Sequence, residues 1–142
     1  MLVSTKGRYA LRVLVDMAEH QAETYVPLKE IAQRQEISEK YLETLIKPLV
    51  QEGIVSGLRG KGGGYRLTRS PENISVFQVL RVMEGTLAPV ACMEEGSAPC
   101  PRVQNCRTLP MWKGLNRVIR DYLSSFSIAD LSGGEEEYNY VI

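Results

Sequence analysis

Val55-Ser56-Gly57-Leu58-Arg59-Gly60-Lys61-Gly62-Gly63-Gly64-Tyr65-Arg66-Leu67 sets a basic, glycine-rich hinge between two short apolar segments. Such segments joined by glycines predict two antiparallel strands, a hairpin spanning about 54–68. The glycines, Gly60, Gly62 and Gly63 among them, let the tip backbone pass close to another surface, and Arg59 and Lys61 make that tip positive. What the hairpin serves is decided by the residues before it.

Upstream, three helices are expected. Ser4 or Thr5 is a candidate cap for the first, in which Tyr9, Leu11, Val13, Leu14, Val15, Met17 and Ala18 oppose a face of Lys6, Arg8, Arg12, Asp16 and Glu19, ending near Gln21. After the extended Tyr25-Val26-Pro27, Leu28, Ile31 and Ala32 recur at helical spacing through Gln35, and Pro27 suits the start of that helix. Glu36 and Ile37 form a tight connection. Ser38 then caps a third helix whose buried stripe is Tyr41, Leu42, Leu45, Ile46, Leu49 and Val50. Pro48 should bend or weaken its last turns, and Gly53 ends it.

Helix, turn and helix over about 28–52, followed by a β-wing, describe a mainly α winged helix-turn-helix domain covering residues 1–83. That architecture lays its third helix in the major groove of double-stranded DNA, where Ser38, Glu39, Lys40, Tyr41, Glu43, Thr44 and Lys47 are the candidates for contact. Arg59 and Lys61, carried on Gly60, Gly62 and Gly63, suit a narrow, electronegative minor groove. Glu43 is the unusual member, because a carboxylate accepts from cytosine and repels phosphate, which favours some sites over others.

The charge distribution agrees. The 142 residues carry 17 basic and 17 acidic side chains, yet residues 1–70 hold 11 Lys and Arg against 8 Asp and Glu, and residues 71–142 hold 6 against 9. The half expected to face DNA is basic and the remainder acidic. An apolar share of 44% supplies a core, and no run approaches a membrane span or signal peptide, so a cytoplasmic protein is expected. With no C-x-x-C and no Cys–His pair, a thiol-dependent enzyme is not indicated.

Past the wing, Ser70-Pro71-Glu72-Asn73 is a turn, and Ser75 caps a helix through Met83. A loop over 84–107 follows. From Thr108 to Ser125 helical periodicity returns with Met111, Trp112, Leu115, Val118, Ile119, Tyr122 and Phe126, a stripe long enough to pair with its copy. Residues 108–131 therefore read as a dimerisation helix and following segment, and 132–142 as a flexible acidic tail.

Cys92, Cys100 and Cys106 lie in that loop with seven and five residues between them. Three thiolates on a flexible loop select soft centres: zinc, copper(I) or an iron-sulfur cluster. The one histidine, His20, ends the first helix, so no fourth protein ligand is evident, and spacing alone leaves zinc and cluster open.

Four stretches together carry a resemblance: Ser4-Thr5-Lys6-Gly7-Arg8-Tyr9-Ala10, Ser38-Glu39-Lys40-Tyr41-Leu42-Glu43, Arg59-Gly60-Lys61-Gly62-Gly63-Gly64-Tyr65 and the three-cysteine loop. Over residues 1 to about 131 the chain resembles the winged-helix transcription factor family of the bacterial iron-sulfur cluster regulator IscR. The resemblance implies a homodimer on a pseudo-palindromic operator, with a 2Fe-2S rather than a 4Fe-4S cluster on Cys92, Cys100 and Cys106, controlling cluster-assembly genes. The family also includes nitric oxide or redox sensors and regulators of cysteine metabolism. Two departures concern the fourth ligand: Leu109 stands where cluster regulators place a histidine, and Arg8 where nitric oxide sensors borrow a partner's aspartate. Glu84, Glu94 and Glu95 are the nearby acids.

Overall fold

The computed structural model describes residues 3–20 and 24–133, so nearly all of the acidic tail lies outside the described residues. In chain order the elements are α1 (Thr5–His20), α2 (Leu28–Gln35), α3 (Glu39–Gln51), β1 (Val55–Leu58), β2 (Gly64–Leu67), α4 (Val76–Glu84), α5 (Leu109–Ser124) and α6 (Ile128–Leu131). Single 3-10 turns occupy Pro71–Asn73 and Ala91–Met93. This is the mainly helical winged-helix fold, with a two-stranded wing and a long C-terminal helix.

Three of the expected caps are made by serine. Ser4 Oγ accepts from the Gly7 amide at 3.3 Å, Ser38 Oγ from Tyr41 at 3.0 Å and Ser75 Oγ from Gln78 at 3.1 Å, each relieving a donor that the first helical turn leaves unpaired. Helical period then decides what is buried. Leu42, Leu45, Ile46 and Leu49 of α3 pack with Ala10, Val13, Leu14 and Met17 of α1, Ile31 and Ala32 of α2, and Val79 and Met83 of α4. The opposite side of α3 is thereby turned to solvent.

The α2–α3 turn is closed by Glu36, whose φ of 56° makes it the one non-glycine residue with positive φ among those described. Its amide satisfies the Ala32 and Gln33 carbonyls that end α2. A Cβ is unfavourable in this conformation, so Glu36→Gly is expected to stabilise the fold by about 0.5–1 kcal/mol. Urea unfolding at constant m-value measures it, and an unchanged or lower midpoint would contradict the strain argument.

Pro48 does not end α3. It removes the amide that would meet the Thr44 carbonyl, yet the helix runs on to Gln51 and the Glu52 amide bonds to the Pro48 carbonyl at 3.0 Å. The wing pairs Val55 with Leu67, Ser56 with Arg66, Gly57 with Tyr65 and Leu58 with Gly64. Val55 and Leu67 anchor its base in the core. Val26, from the bridge before α2, exchanges two 2.8 Å backbone hydrogen bonds with Tyr65 and so pins β2 from its outer side.

The C-terminal segment differs from a simple appended unit. After α5 the chain returns: Val76 donates to the Phe126 carbonyl and Ile128 to that of Ile74, both at 2.9 Å. A reciprocal Ser127–Asp130 capping box starts α6 and places Ile128 fully buried in the main core. Ile128 thus belongs to the main core, while Phe126 and Leu131 pack against the small cluster of Val76, Leu80 and Leu87.

Candidate nucleic-acid interface and cysteine loop

Because α3 commits one face to the core, Glu39, Lys40, Glu43, Thr44 and Lys47 are exposed, with Ser38 at the helix start. Thr44 Oγ donates to the Tyr41 carbonyl at 2.6 Å. Tyr41 itself is half-buried, its ring edge-on to Tyr9 at 5.9 Å, so it braces α3 against α1. Arg59, Gly60, Lys61 and Gly62 are exposed at the wing tip, and Gly63 is half-buried beneath them. A Cβ on Gly63 would lie 2.1 Å from the Leu58 carbonyl oxygen, which explains a glycine there.

The side chains of Lys40, Glu43, Lys47, Arg59 and Lys61 form no hydrogen bond or ion pair among the described residues. Charges so placed keep their full interaction for an outside partner. Between α3 and the wing runs a groove of about 590 Å³, whose lining includes Glu43, Lys47, Val50, Leu58 and Arg59. Sequence reasoning misses Val50 and Leu58: helical period assigns Val50 to the core, and Leu58 stands out only as a strand residue. Both are in fact exposed, Leu58 at 49%. The strand leaves the core after Ser56, so Leu58 borders the groove.

Arg59→Ala is expected to weaken operator binding and reduce the slope of log K against log salt by about one unit per chain. Titrations across a salt series check this. An unchanged slope would remove Arg59 from the phosphate-lined interface.

The cysteine loop lies beyond α4. Cys92 falls in the 3-10 turn, Cys92 and Cys100 are exposed, Cys106 is half-buried, and all three are free thiols. Cys106 Sγ lies 3.5 Å from Thr108 Oγ. That hydroxyl contact, then the Thr108 and Leu109 amides at the start of α5, hold the Cys106 thiol below its ordinary range, with Arg102 adding to the effect.

Among the described residues, no three His, Cys, Asp or Glu side chains are gathered as a metal-binding group. The three sulfurs share a loop without sharing a centre. In kind they suit a soft metal or cluster, and the loop around them is held by local turns such as Val103 to Cys100 at 3.0 Å and Asn105 to Arg102 at 2.9 Å.

Of the acids nearby, Glu84 accepts from the Ser4 amide and hydroxyl at 3.0 and 2.7 Å. Glu95 pairs with Arg81 and, at 3.4 Å, with Arg120. Glu94 has no side-chain partner among the described residues. His20 is engaged at the other end of α1, where its Nδ1 lies 2.8 Å from the Asp16 carbonyl.

The apolar stripe of α5 divides in two. Met111, Leu115, Val118 and Tyr122, spaced four, three and four apart, are exposed, Tyr122 at 62%. Leu123 of α5 and Phe126 just beyond it pack against the small cluster of Val76, Leu80 and Leu87. One face therefore holds α5 to its own domain while the other is open. Among the described residues no helix is long and apolar enough to cross a membrane.

Residues 3–134 match the Rrf2 family model, described as an iron-dependent transcriptional regulator. The chain is 41% identical to Protein rrf2 of Nitratidesulfovibrio vulgaris over 131 residues, covering 92% of this chain and 87% of that protein. It is 37% identical to the HTH-type transcriptional regulator IscR of Xenorhabdus nematophila, covering 96% of this chain and 82% of that one. Its fold is similar to the solved structure of CymR, the global cysteine regulator of B. subtilis, with a TM-score of 0.74 at 35% identity over 93% of this chain and 96% of that one. The exposed α3 face, the basic wing and these likenesses lead to one assignment: the chain belongs to the Rrf2 family of DNA-binding transcriptional regulators and is not an enzyme.

Proposed function

We propose that this regulator acts as a homodimer that reads a pseudo-palindromic operator and responds to an iron-sulfur cluster, 2Fe-2S, held by Cys92, Cys100 and Cys106. The observation that carries the sensor reading is the set of three free thiols on one loop between α4 and α5. When bound, the cluster supplies a redox- and oxygen-sensitive centre. Glu94 is the uncommitted acid for a fourth ligand, since Glu84 and Glu95 already have partners.

The chain's own residues then do the reading. Lys40, Glu43, Thr44 and Lys47 face the major groove, and Arg59 and Lys61 enter the flanking minor groove. The open Met111, Leu115, Val118 and Tyr122 face joins two copies, so the distance between the two α3 helices depends on how α5 sits on α4. Ordering the 84–107 loop shifts that relation and couples loop occupancy to operator affinity, a coupling typically worth about 1–3 kcal/mol.

Protein purified without oxygen is expected to show visible absorption with bound iron and sulfide, and Cys92→Ala to be colourless and iron-free. A colourless wild type that binds operator equally before and after reconstitution with iron and sulfide would instead support a second reading, a metal-independent regulator of cysteine metabolism. That reading draws on the ungathered sulfurs and on the likeness to CymR.

A further inference from the structure

A cleft of about 320 Å³ opens between α4, the start of the cysteine loop and α5. Its apolar walls include Phe77, Leu87, Ala88, Met93 and Ile119. At its edge two guanidiniums from different helices converge: Arg81 of α4 and Arg120 of α5 both reach the carboxylate of Glu95. Arg120 also lies over the Phe77 ring, 4.9 Å from its centroid, which fixes the direction of its fork.

We propose that this cleft is an effector site for a small α-amino acid with an apolar side chain. Glu95 shows what the arginine pair accepts, because its own carboxylate sits there as an internal occupant. The hold is weak: Glu95 is 64% exposed and the arginines about half exposed, so water screens both pairs and an incoming carboxylate can displace it.

The charge of the lining sets the rest of the ligand. Glu84, Glu94 and Glu95 outnumber Arg81 and Arg120, which opposes a simple anion and favours a molecule that also carries an ammonium group. Polar and charged residues make up most of the lining, and Phe77, Leu87, Ala88, Met93 and Ile119 supply the apolar part that a hydrocarbon side chain would meet. Binding there would free the Glu95 end of the cysteine loop from α4 and α5, giving the regulator an input separate from the thiols. The proposal does not depend on the cluster reading.

The test is calorimetric titration of the full-length protein with L-leucine and L-phenylalanine, followed in parallel by fluorescence of Trp112, one helical turn from Asn116 in the cleft lining. Saturable one-to-one binding is expected. Two analogues of leucine, 4-methylpentanoate without the amino group and 3-methylbutylamine without the carboxylate, should each bind at least tenfold more weakly. Arg120→Gln should weaken leucine at least tenfold, whereas Glu95→Gln should tighten it severalfold by removing the internal competitor. A residue that merely supports the fold would not tighten binding when replaced, and both side chains are exposed enough for the variants to fold. No saturable binding of either amino acid overturns the proposal. So does 4-methylpentanoate binding as tightly as leucine, or Glu95→Gln binding leucine more weakly than wild type.

Discussion

Asp16→Ala is expected to lower the unfolding free energy by about 3 kcal/mol, the largest loss from any single charged side chain described. Asp16 is 2% exposed, the one charged residue in the core among those described. Its carboxylate accepts from Arg34 Nη2 at 2.7 Å and Nε at 2.9 Å, a bidentate pair, and from Gln35 Nε2 at 2.9 Å. The hydrogen bond from Arg34 and its attraction to Asp16 raise the guanidinium pKa further, against the opposing effect of burial. Breaking a fully buried pair costs about 3–5 kcal/mol because a charge is stranded. Arg34 is 31% exposed and can turn to water, which brings the expectation to the lower end of that range. Glu30 is the control: it stands 3.9 Å from Arg34 and is 59% exposed, so Glu30→Ala should cost under about 0.5 kcal/mol. Urea unfolding of the two variants decides it, and equal midpoints would show that the pair adds nothing to the fold.

That pair also locates the limit of reading the chain from its letters. Local chemistry is legible: Ser38 and Ser75 announce their helices, Leu42, Leu45, Ile46 and Leu49 repeat at helical period, and the glycines between Leu58 and Tyr65 mark a hairpin tip. Each signal lies within one turn or one strand pair. Asp16, by contrast, reads as one charge among several on the polar face of α1, because its partners are on α2 and only tertiary packing brings them together. The Val26–Tyr65 bridge and the return of Ile128 to the core are hidden for the same reason, although Ser127-x-x-Asp130 carries the signal of a new helix. The α5 stripe is visible as apolar but not as two faces, since only the position of α4 decides which half it covers. Three cysteines near one another in sequence show a donor set; whether their sulfurs meet depends on loop conformation that spacing does not determine.

The same distinction bears on how the interface is built. The side chains proposed to touch DNA are supported by packing within the fold: Tyr9 against Tyr41, the Asp16–Arg34 pair, and Arg12, whose Nη2 donates to the Gln35 carbonyl at the end of α2 at 2.8 Å. A loss of operator binding is therefore informative only beside a measurement of stability.

Gly64→Ala is expected to lower stability by about 2–4 kcal/mol and operator affinity at least tenfold in the fraction that remains folded. A Cβ at this position would lie 2.2 Å from the Val26 carbonyl oxygen, 2.5 Å from its carbon and 2.8 Å from the Pro27 nitrogen, on a backbone with φ of 147°. All three obstacles are backbone atoms, so no side chain can swing aside. Relief requires separating Val26 from β2, which breaks the paired hydrogen bonds between Val26 and Tyr65 and lets the wing move relative to α3. Gly53→Ala isolates the conformational part, because Gly53 has φ of 73° and an added methyl there would meet nothing within 4 Å. It should cost only about 1 kcal/mol and change operator affinity less than threefold. Thermal melts and operator titrations at one fixed salt concentration separate the two effects. If Gly64→Ala loses stability but binds operator as wild type does, the wing's placement does not govern DNA binding, and affinity rests on α3 alone.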